Sequence, residues 1–245
     1  MPSLIRSATL LAASLLAACG GAARGTAQGS TPAQNVLTEA EHRAGWRLLF
    51  DGRTLAGWRA YGSPIMAPGW AVEDGALTRV APAQDIITVE RFSNFELRLE
   101  WRVKPDGPPA NSGIFYRAEE KEGEEIYQSA PEMQVLDDAR HRDGQRLLTS
   151  AGAVYGLYPA VRGLSKPPGQ WNAVRIIVNG TRVEHWLNGT QVARYELGSA
   201  DWLARVRASK FVEWPRYGRA TTGHIGLQEH GSWVAFRDIK IRVLP

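Results

Sequence analysis

The residues best suited to chemistry stand in one short run, Glu132-Met133-Gln134-Val135-Leu136-Asp137. Polar Glu132 and Gln134 alternate with apolar Met133 and Val135, and residues two apart in a strand share a face. We therefore expect the two polar side chains to face a groove and the two apolar ones a core. One extra residue just before Asp137 would form a bulge and return that carboxyl to the polar face. Two carboxyls and an amide along one strand suit a polar, neutral substrate such as a sugar.

Other candidate catalytic residues lie on neighbouring segments. Glu132 is the first choice for an acid or base, the alternative being a solvated strand carboxylate. Asp137 is either a second carboxyl or a turn residue. Arg117 shares the polar face of the preceding segment, where a guanidinium could stabilise an oxyanion or bind hydroxyls; a salt bridge to Glu132 is compatible with that. His230 shares a face with Gln228 and is a candidate general base, a common role of histidine; the alternative is a surface histidine at a strand end.

Two further aromatic residues remain ambiguous from the sequence. Tyr155 lies in the long irregular connection 138–170, which is either a mobile aromatic loop over the groove or a loop packed on the sandwich edge. Alternation cannot decide whether His185 or Trp186 points inward. His185 is therefore a substrate-binding residue or a buried core histidine.

The elements that must position these residues are strands. Residues 95–103 alternate strictly between apolar and charged types, which predicts a strand with one buried face. Residues 171–195 predict a three-stranded meander with type I′ turns at Asn179-Gly180 and Asn188-Gly189. A phase change near Asp238 indicates a bulge. Further short strands are predicted around 46–50, 70–77, 85–88, 113–117, 224–230 and 234–243. Helical periodicity is absent after residue 40 except for a turn near 199–205, so we predict an all-β sandwich of two antiparallel sheets.

The N-terminus has the pattern of an exported protein. Residues 1–18 combine Arg6 with a short apolar run, which predicts a signal peptide. Cys19, the one cysteine of the chain, follows Leu16-Ala17-Ala18 and matches a bacterial lipobox; the alternative is a plain secretory signal. Because Gly20 is not acidic, we expect a lipid anchor in the outer membrane facing the periplasm. Residues 19–40 are expected to be a flexible tether, and 41–245 the folded domain.

Composition excludes several classes of function. The chain has 29 basic and 25 acidic residues, a net charge of +4, and no basic run, so nucleic-acid binding is not expected. Zinc and EF-hand spacings, a phosphate-binding glycine loop and a serine nucleophile elbow are also missing from the sequence. We expect no metal and no cofactor, a monomer, and membrane contact only through the lipid anchor.

Several motifs together resemble the 3-keto-disaccharide hydrolase domain family. They are Asn111-Ser112-Gly113-Ile114, residues 132–137, His185-Trp186-Leu187-Asn188-Gly189, and 223–231. The opening 45–57 and the closing 234–239 fit as well. The resemblance implies a concanavalin A-like jelly roll with a concave ligand groove, secretion, and cleavage of glycosides whose sugar carries a ketone at C3. A non-catalytic, lectin-like carbohydrate-binding module is the alternative.

The resemblance also bears on individual residues. It marks Lys210, which would otherwise be an ordinary loop lysine. The run Glu132-x-Gln134-x-x-Asp137 is similar to the Glu-x-Asp-x-x-Glu strand of jelly-roll endoglucanases, but its central amide and shorter last residue disfavour their double displacement. A C3 ketone acidifies the C2 hydrogen, so elimination followed by hydration is the expected alternative. The expected substrate-binding residues are Asn111, Gln134, Tyr155, His185, Lys210 and Gln228.

Overall fold

A computed structural model describes Met1 and residues 34–245, so the predicted signal peptide and Cys19 lie outside the described residues. The strands are β1 Trp46–Leu48, β2 Trp58–Ala60, β3 Trp70–Glu73, β4 Ala76–Arg79, β5 Ile86–Thr88, β6 Phe95–Val103, β7 Asn111–Ala118, β8 Glu132–Leu136, β9 Asn172–Asn179, β10 Arg182–Leu187, β11 Thr190–Glu196, β12 His224–Leu227 and β13 Val234–Val243. Two α-helices span Glu39–Arg43 (α1) and Ala200–Arg207 (α2), and 3-10 turns span Ile126–Gln128, Arg142–Gln145 and Lys210–Glu213.

The strands form two antiparallel sheets that face each other. The large sheet has the order β11-β10-β9-β6-β13-β4-β3, with β1 also paired to β13. The small sheet has the order β2-β5-β12-β7-β8. Several neighbours, such as β6 with β13 and β5 with β12, are distant in sequence, as in a jelly roll. The predicted all-β sandwich of two antiparallel sheets is confirmed.

The core lies between the two sheets. Alternation in β6 sends Leu97, Leu99 and Trp101 into it, and the small sheet contributes Met133 and Val135 from β8. Because successive strand residues point to opposite faces, the polar residues of β8 then face away from the core. The polar residues of β8 therefore lie on the outer face of the small sheet, where they can form a site.

The meander of β9, β10 and β11 is present, but its first turn differs from the prediction. Asn179 pairs with Arg182, so the two turn residues are Gly180 and Thr181 rather than Asn179-Gly180. Only Gly180 has positive φ, which fits a type II′ turn with glycine first. The second turn does use Asn188-Gly189, both with positive φ, as type I′ requires.

The bulge predicted near Asp238 is present in β13. Asp238 has a φ of 51°, and the pairing with β6 shifts between Arg237 and Lys240. Asn35 stabilises this bulge: its backbone N–H donates to the Asp238 carboxylate at 2.5 Å, and its side-chain oxygen accepts the Asp238 N–H at 2.8 Å. These two hydrogen bonds attach the segment around Asn35 to the last strand of the large sheet.

Helix α2 is longer than the turn expected near 199–205. Ser199 caps it by accepting the N–H of Trp202, and Trp202 is buried against stacked Tyr195 and Tyr217. Aromatic packing therefore stabilises a helix that a weak apolar pattern did not reveal. Among residues 34–245, no helix is both long and apolar enough to cross a membrane.

Candidate active site

A groove of about 1270 Å³ lies on the outer face of the small sheet. Its floor is a row of residues that are paired across neighbouring strands. Gln134 on β8 pairs with Gly113 on β7. The pairings of Leu227 with Ile114 and with Ile86 place Gln228 and Asp85 next in the same row. The sheet thus lines up an amide, a glycine, an amide and a carboxyl over four strands.

Glu132 lies over this row rather than beside it. A methyl group on Gly113 would overlap the Glu132 Oε1 atom, so the glycine provides the space in which the carboxyl lies. Glu132 is only 5 % exposed, and no side-chain hydrogen bond of its carboxyl occurs within the described residues. Burial raises the pKa of Glu132 to about 8; the Lys210 charge opposes this and the Asp85 charge adds to it. A carboxyl with this pKa can exchange a proton near neutrality.

Two amide oxygens beside Glu132 have no hydrogen-bond partner within residues 34–245. Gln134 donates through Nε2 to Asn111 Oδ1 at 3.0 Å, which leaves Gln134 Oε1 buried and unpaired. Gln228 Oε1 is also buried and unpaired. An unsatisfied buried acceptor is costly, so hydroxyl donors of a ligand would be stabilised here. The expected binding residues Asn111, Gln134 and Gln228 all line the groove.

Asp85, immediately before β5, is a groove carboxyl that the sequence reasoning missed. Its Oδ1 accepts the backbone N–H of Glu229 at 2.7 Å. Burial raises the pKa of Asp85 to about 7, the Glu229 N–H lowers it, and the charges of Glu125 and Glu229 raise it. Asp85 shares the strand parity of Ile87, which packs on the outer face of the small sheet. The alternation of residues 85–88 could have indicated that Asp85 faces the groove, once the pairing of β5 with β12 was known.

Lys210 lines the groove at its β8 edge, on the side away from Asp85, and lies next to three aromatic rings. Its Nζ lies 4.8 Å from the Tyr155 ring centre and 5.3 Å from those of Tyr127 and Phe211. It forms no ion pair with a carboxylate of the described chain. Cation–π contacts hold an ammonium without neutralising it. Lys210 therefore presents a positive charge to the groove near Glu132.

Tyr155 reaches the groove from a loop that packs against the sheet. The N–H of Tyr155 donates to the Glu132 carbonyl at 3.1 Å, and Gly152 donates to the Gln134 carbonyl at 2.9 Å. The segment 152–155 therefore extends the free edge of β8, and the alternative of a loop packed on the edge is the one observed. His230 is exposed at the rim of the groove.

The groove is acidic although the whole chain is basic. Seven lining residues are carboxylic acids and three are basic. Glu120 is neutralised by Arg59 through two hydrogen bonds at 2.6 and 2.7 Å. Such a lining favours neutral over anionic ligands.

Asp137, predicted as a second groove carboxyl, lies away from the groove. The pairing of β7 with β8 runs without a shift from Glu132 to Leu136, so the bulge that would have returned Asp137 to the polar face is missing. Its carboxylate accepts the Arg140 Nε–H at 2.5 Å, and Arg140 also binds the carbonyls of Lys104 and Pro105. Asp137 thus anchors the 104–107 loop.

Arg117 is also outside the groove, because the bulge occurs in β7. Phe115 pairs with Gly226 and Ala118 with His224, so β7 contains one extra residue, and Arg117 has a φ of 51°. The guanidinium donates to the carbonyl of Ser93 at 2.9 and 3.1 Å. Ala118 takes the position that strict alternation assigned to Arg117.

His185, offered as a substrate-binding residue, is fully buried in the core. Its Nε2 lies 3.0 Å from the Tyr116 hydroxyl and its Nδ1 lies 3.3 Å from the Gly152 carbonyl. Burial lowers its pKa to about 4, so it is neutral near pH 7. The core alternative is the one observed.

Within the part of the chain that the structure describes, no group of three or more His, Cys, Asp or Glu side chains could hold a metal ion.

The fold is an antiparallel two-sheet β-sandwich with a polar groove on the outer face of one sheet, and comparisons give the family. The model of the 3-keto-alpha-glucoside-1,2-lyase-like domain matches residues 45–242. The chain therefore belongs to this family, and the resemblance seen in the motifs is confirmed. A 3-keto-disaccharide hydrolase of Bacteroides thetaiotaomicron is 36 % identical over 97 % of both chains.

Solved structures agree with this assignment. A Parabacteroides distasonis protein, named as a candidate glycosyl hydrolase, is 32 % identical with a TM-score of 0.78, covering 87 % of this chain and all of that one. A Bacillus subtilis protein with a galectin-like fold is 14 % identical with a TM-score of 0.52, covering 78 % of this chain and 92 % of that one. The similarity to the Bacillus subtilis protein supports the fold only.

Proposed function

We propose that this protein is a glycoside-cleaving enzyme that acts on 3-keto-glycosides by elimination and hydration. The observation that carries the proposal is the buried Glu132 carboxyl on the floor of a polar groove, next to the Lys210 ammonium. The family description, which names a 1,2-lyase of 3-keto-glucosides, and the name of the Bacteroides relative support the same substrate class.

The groove supplies what such a reaction requires. Glu132 in its ionised form removes the proton from C2, which the neighbouring ketone has acidified. Lys210 stabilises the negative charge that develops on the C3 oxygen. The electron pair of the C2–H bond forms a C1=C2 double bond while the C1–O bond breaks and its pair leaves with the oxygen. Water then adds its oxygen to C1 and a proton returns to C2, so that the net change is hydrolysis.

The decisive experiment follows aglycone release from a 3-keto-glucoside in deuterated water. The wild type is expected to release aglycone and to place deuterium at C2 of the sugar. Glu132→Gln is expected to lose at least about 100-fold in rate, the scale of a lost general base, and Lys210→Met a comparable factor because the oxyanion loses its cation.

Asp137→Asn is the matched control, since it changes a buried carboxyl outside the groove. It is expected to keep its activity within a few-fold. Absence of release by the wild type, or full activity of Glu132→Gln, would contradict the proposal. Release without deuterium at C2 would favour direct hydrolysis.

The lectin-like alternative is less well supported. Binding a sugar requires amides and aromatic rings, which the groove has in Gln134, Gln228 and Tyr155. It does not require carboxyls whose pKa values lie near neutrality, and such groups are typical of catalytic sites. The raised pKa values of Asp85 and Glu132 therefore favour an enzyme over a lectin-like module.

The lipid anchor at Cys19 is part of the proposal. The lipobox pattern supports cleavage before Cys19 and attachment of lipid, with the domain facing the periplasm. Incorporation of labelled palmitate in a bacterial host should be abolished in Cys19→Ser. Labelling that persists in the variant would exclude this site of attachment.

A further inference from the structure

We propose that Asp85 is the general acid that protonates the leaving oxygen on C1, opposite Glu132 as the base at C2. This inference rests on the proposed function. It assigns the second carboxyl of the reaction to a residue outside the 132–137 run, where Asp137 had been the candidate.

The first support is position along the row that forms the groove floor. Asp85 follows Gln228, which follows Gly113, and Glu132 lies over Gly113. Neighbouring strands are about 4.8 Å apart, so the backbones of Asp85 and Gly113 are separated by about 10 Å. Side chains that extend toward each other from such positions reach the separation of about 5–9 Å at which two carboxyls flank one glycosidic bond.

The second support is the state of the Asp85 carboxyl. Oδ1 is oriented by the Glu229 N–H, whereas Oδ2 accepts no hydrogen bond within residues 34–245. One oxygen is therefore fixed and the other is free to hold a proton toward the groove. By contrast, the groove carboxyl Glu120 is occupied by Arg59 and cannot fill this role.

The third support is the order of groups across the sheet. Lys210 and Tyr155 stand at the β8 edge, Glu132 lies over β7, and Asp85 precedes β5. In the sugar, C3, C2 and C1 follow in that same order. A ketone oxygen at Lys210 and a C2 hydrogen at Glu132 place the C1 oxygen on the Asp85 side.

Two separate proton transfers accompany the bond cleavage. The C1–O bond breaks, its electron pair goes to the leaving oxygen, and that oxygen takes the proton from Asp85 Oδ2. Glu132 holds the proton that came from C2. A leaving group that is already a good one does not need the Asp85 proton, because its oxygen can depart as an anion.

The test compares leaving groups in the Asp85→Asn variant. Asparagine keeps an acceptor for the Glu229 N–H but cannot supply the acidic proton. For a methyl 3-keto-glucoside, kcat/KM should fall by at least about 100-fold; for the 4-nitrophenyl 3-keto-glucoside it should fall by less than about tenfold. The nitrophenyl rate also reports that the variant is folded. Asp106→Asn, an exposed loop carboxyl, is the control and should behave as wild type with both substrates.

A second readout separates this inference from the proposed function. In deuterated water, Asp85→Asn should still exchange the C2 hydrogen of the recovered methyl glycoside, whereas Glu132→Gln should not. An equal loss with both leaving groups would make Asp85 structural, and no loss with either would exclude it; both results overturn the inference. If the wild type neither cleaves nor exchanges these substrates, the proposed function itself fails and the role of Asp85 fails with it.

Discussion

At the scale of single residues, the site depends on two carboxyls that hold protons more tightly than usual. The pKa of Asp85 is raised to about 7 and that of Glu132 to about 8, chiefly by burial, and the Asp85 charge adds to the shift of Glu132. Between these values the pair holds one proton, which lies mainly on Glu132 because its pKa is the higher; the reactive form, with Glu132 ionised and Asp85 protonated, is the minor one. One carboxyl can then act as an acid while the other acts as a base.

This pair predicts a bell-shaped pH dependence of kcat/KM with its maximum between about pH 7 and 8. At lower pH both carboxyls are protonated and the base is lost; at higher pH both are ionised and the acid is lost. Rates on a 3-keto-glucoside from pH 5 to 10 would test this. In Asp85→Asn the decline at high pH should disappear, because only Glu132 still has to be ionised. A flat wild-type profile would contradict the role of the pair.

Gly113 predicts a second effect at the same scale. A methyl group in Gly113→Ala would overlap Glu132 Oε1 and push the carboxyl out of its place. Misplacement by about 1 Å can cost about 100-fold in rate. We therefore expect a loss of that order with a much smaller change in stability, since the long Glu132 side chain can move aside toward the groove. Two measurements on Gly113→Ala test this expectation: kcat/KM and the urea concentration at the midpoint of unfolding. A variant that is less stable but as active as wild type when folded would contradict it.

At the scale of elements, the bulge in β7 decides which residues reach the groove. It places Ala118 where alternation put Arg117 and directs the Arg117 guanidinium to the Ser93 carbonyl. Arg117→Ala removes hydrogen bonds from a charged donor, so it should cost about 1–3 kcal/mol in the free energy of unfolding. Its activity when folded should stay within a few-fold of wild type. A 100-fold slower but fully stable variant would show that Arg117 does act in the site.

Much of this architecture could be predicted from the sequence because strand alternation is a local property. The opposite faces of Glu132 and Met133, the strand 95–103 and the bulge at Asp238 all follow from side-chain periodicity. The errors have a common cause: where a bulge falls depends on the pairing partner, which local patterns do not contain. The sequence therefore left open whether a bulge precedes Asp137 in β8, whereas the fold has a bulge next to Arg117 in β7.

The same limit explains the missed residue of the site. Asp85 joins the groove only through the pairing of β5 with β12, which connects segments about 140 residues apart. Parity in the run 85–88 puts Asp85 on the same face as Ile87, but without the pairing it does not show that this face lines the groove. Glu132, Gln134 and Asn111 could be found because they lie on strands joined by one loop.

At the scale of the whole molecule, buried hydrogen bonds between the two sheets support the groove. His185 joins β10 of the large sheet to Tyr116 of β7 in the small sheet, and Tyr195 on β11 shares the Tyr116 hydroxyl. Tyr116 is the neighbour of Phe115, which pairs with Glu132. The large sheet thus supports the strand on which the groove floor is built.

This buried histidine predicts how stability depends on pH. The pKa of His185 is about 4 in the folded protein and about 6.5 when unfolded, so the unfolded chain binds the proton more readily between these values. The contribution of His185 is complete above about pH 6.5 and is lost as the pH falls toward 4. A shift of this size corresponds to about 3 kcal/mol. Asp85 and Glu132 act in the opposite direction, since their raised pKa values favour the folded state at lower pH.

Comparison with a variant isolates the histidine from those carboxyls. His185→Gln retains a hydrogen-bonding side chain but cannot titrate, so it should be less stable than wild type at pH 7.5, and the difference should shrink by up to about 3 kcal/mol between pH 6.5 and 4. Urea unfolding at several pH values measures this difference directly. His230→Gln changes an exposed histidine at the groove rim. Its free energy of unfolding should differ from that of the wild type by a constant amount over this pH range. A constant difference between wild type and His185→Gln over this range would mean that His185 titrates alike in the folded and unfolded chain, and that its burial between the sheets does not carry the proposed cost of protonation.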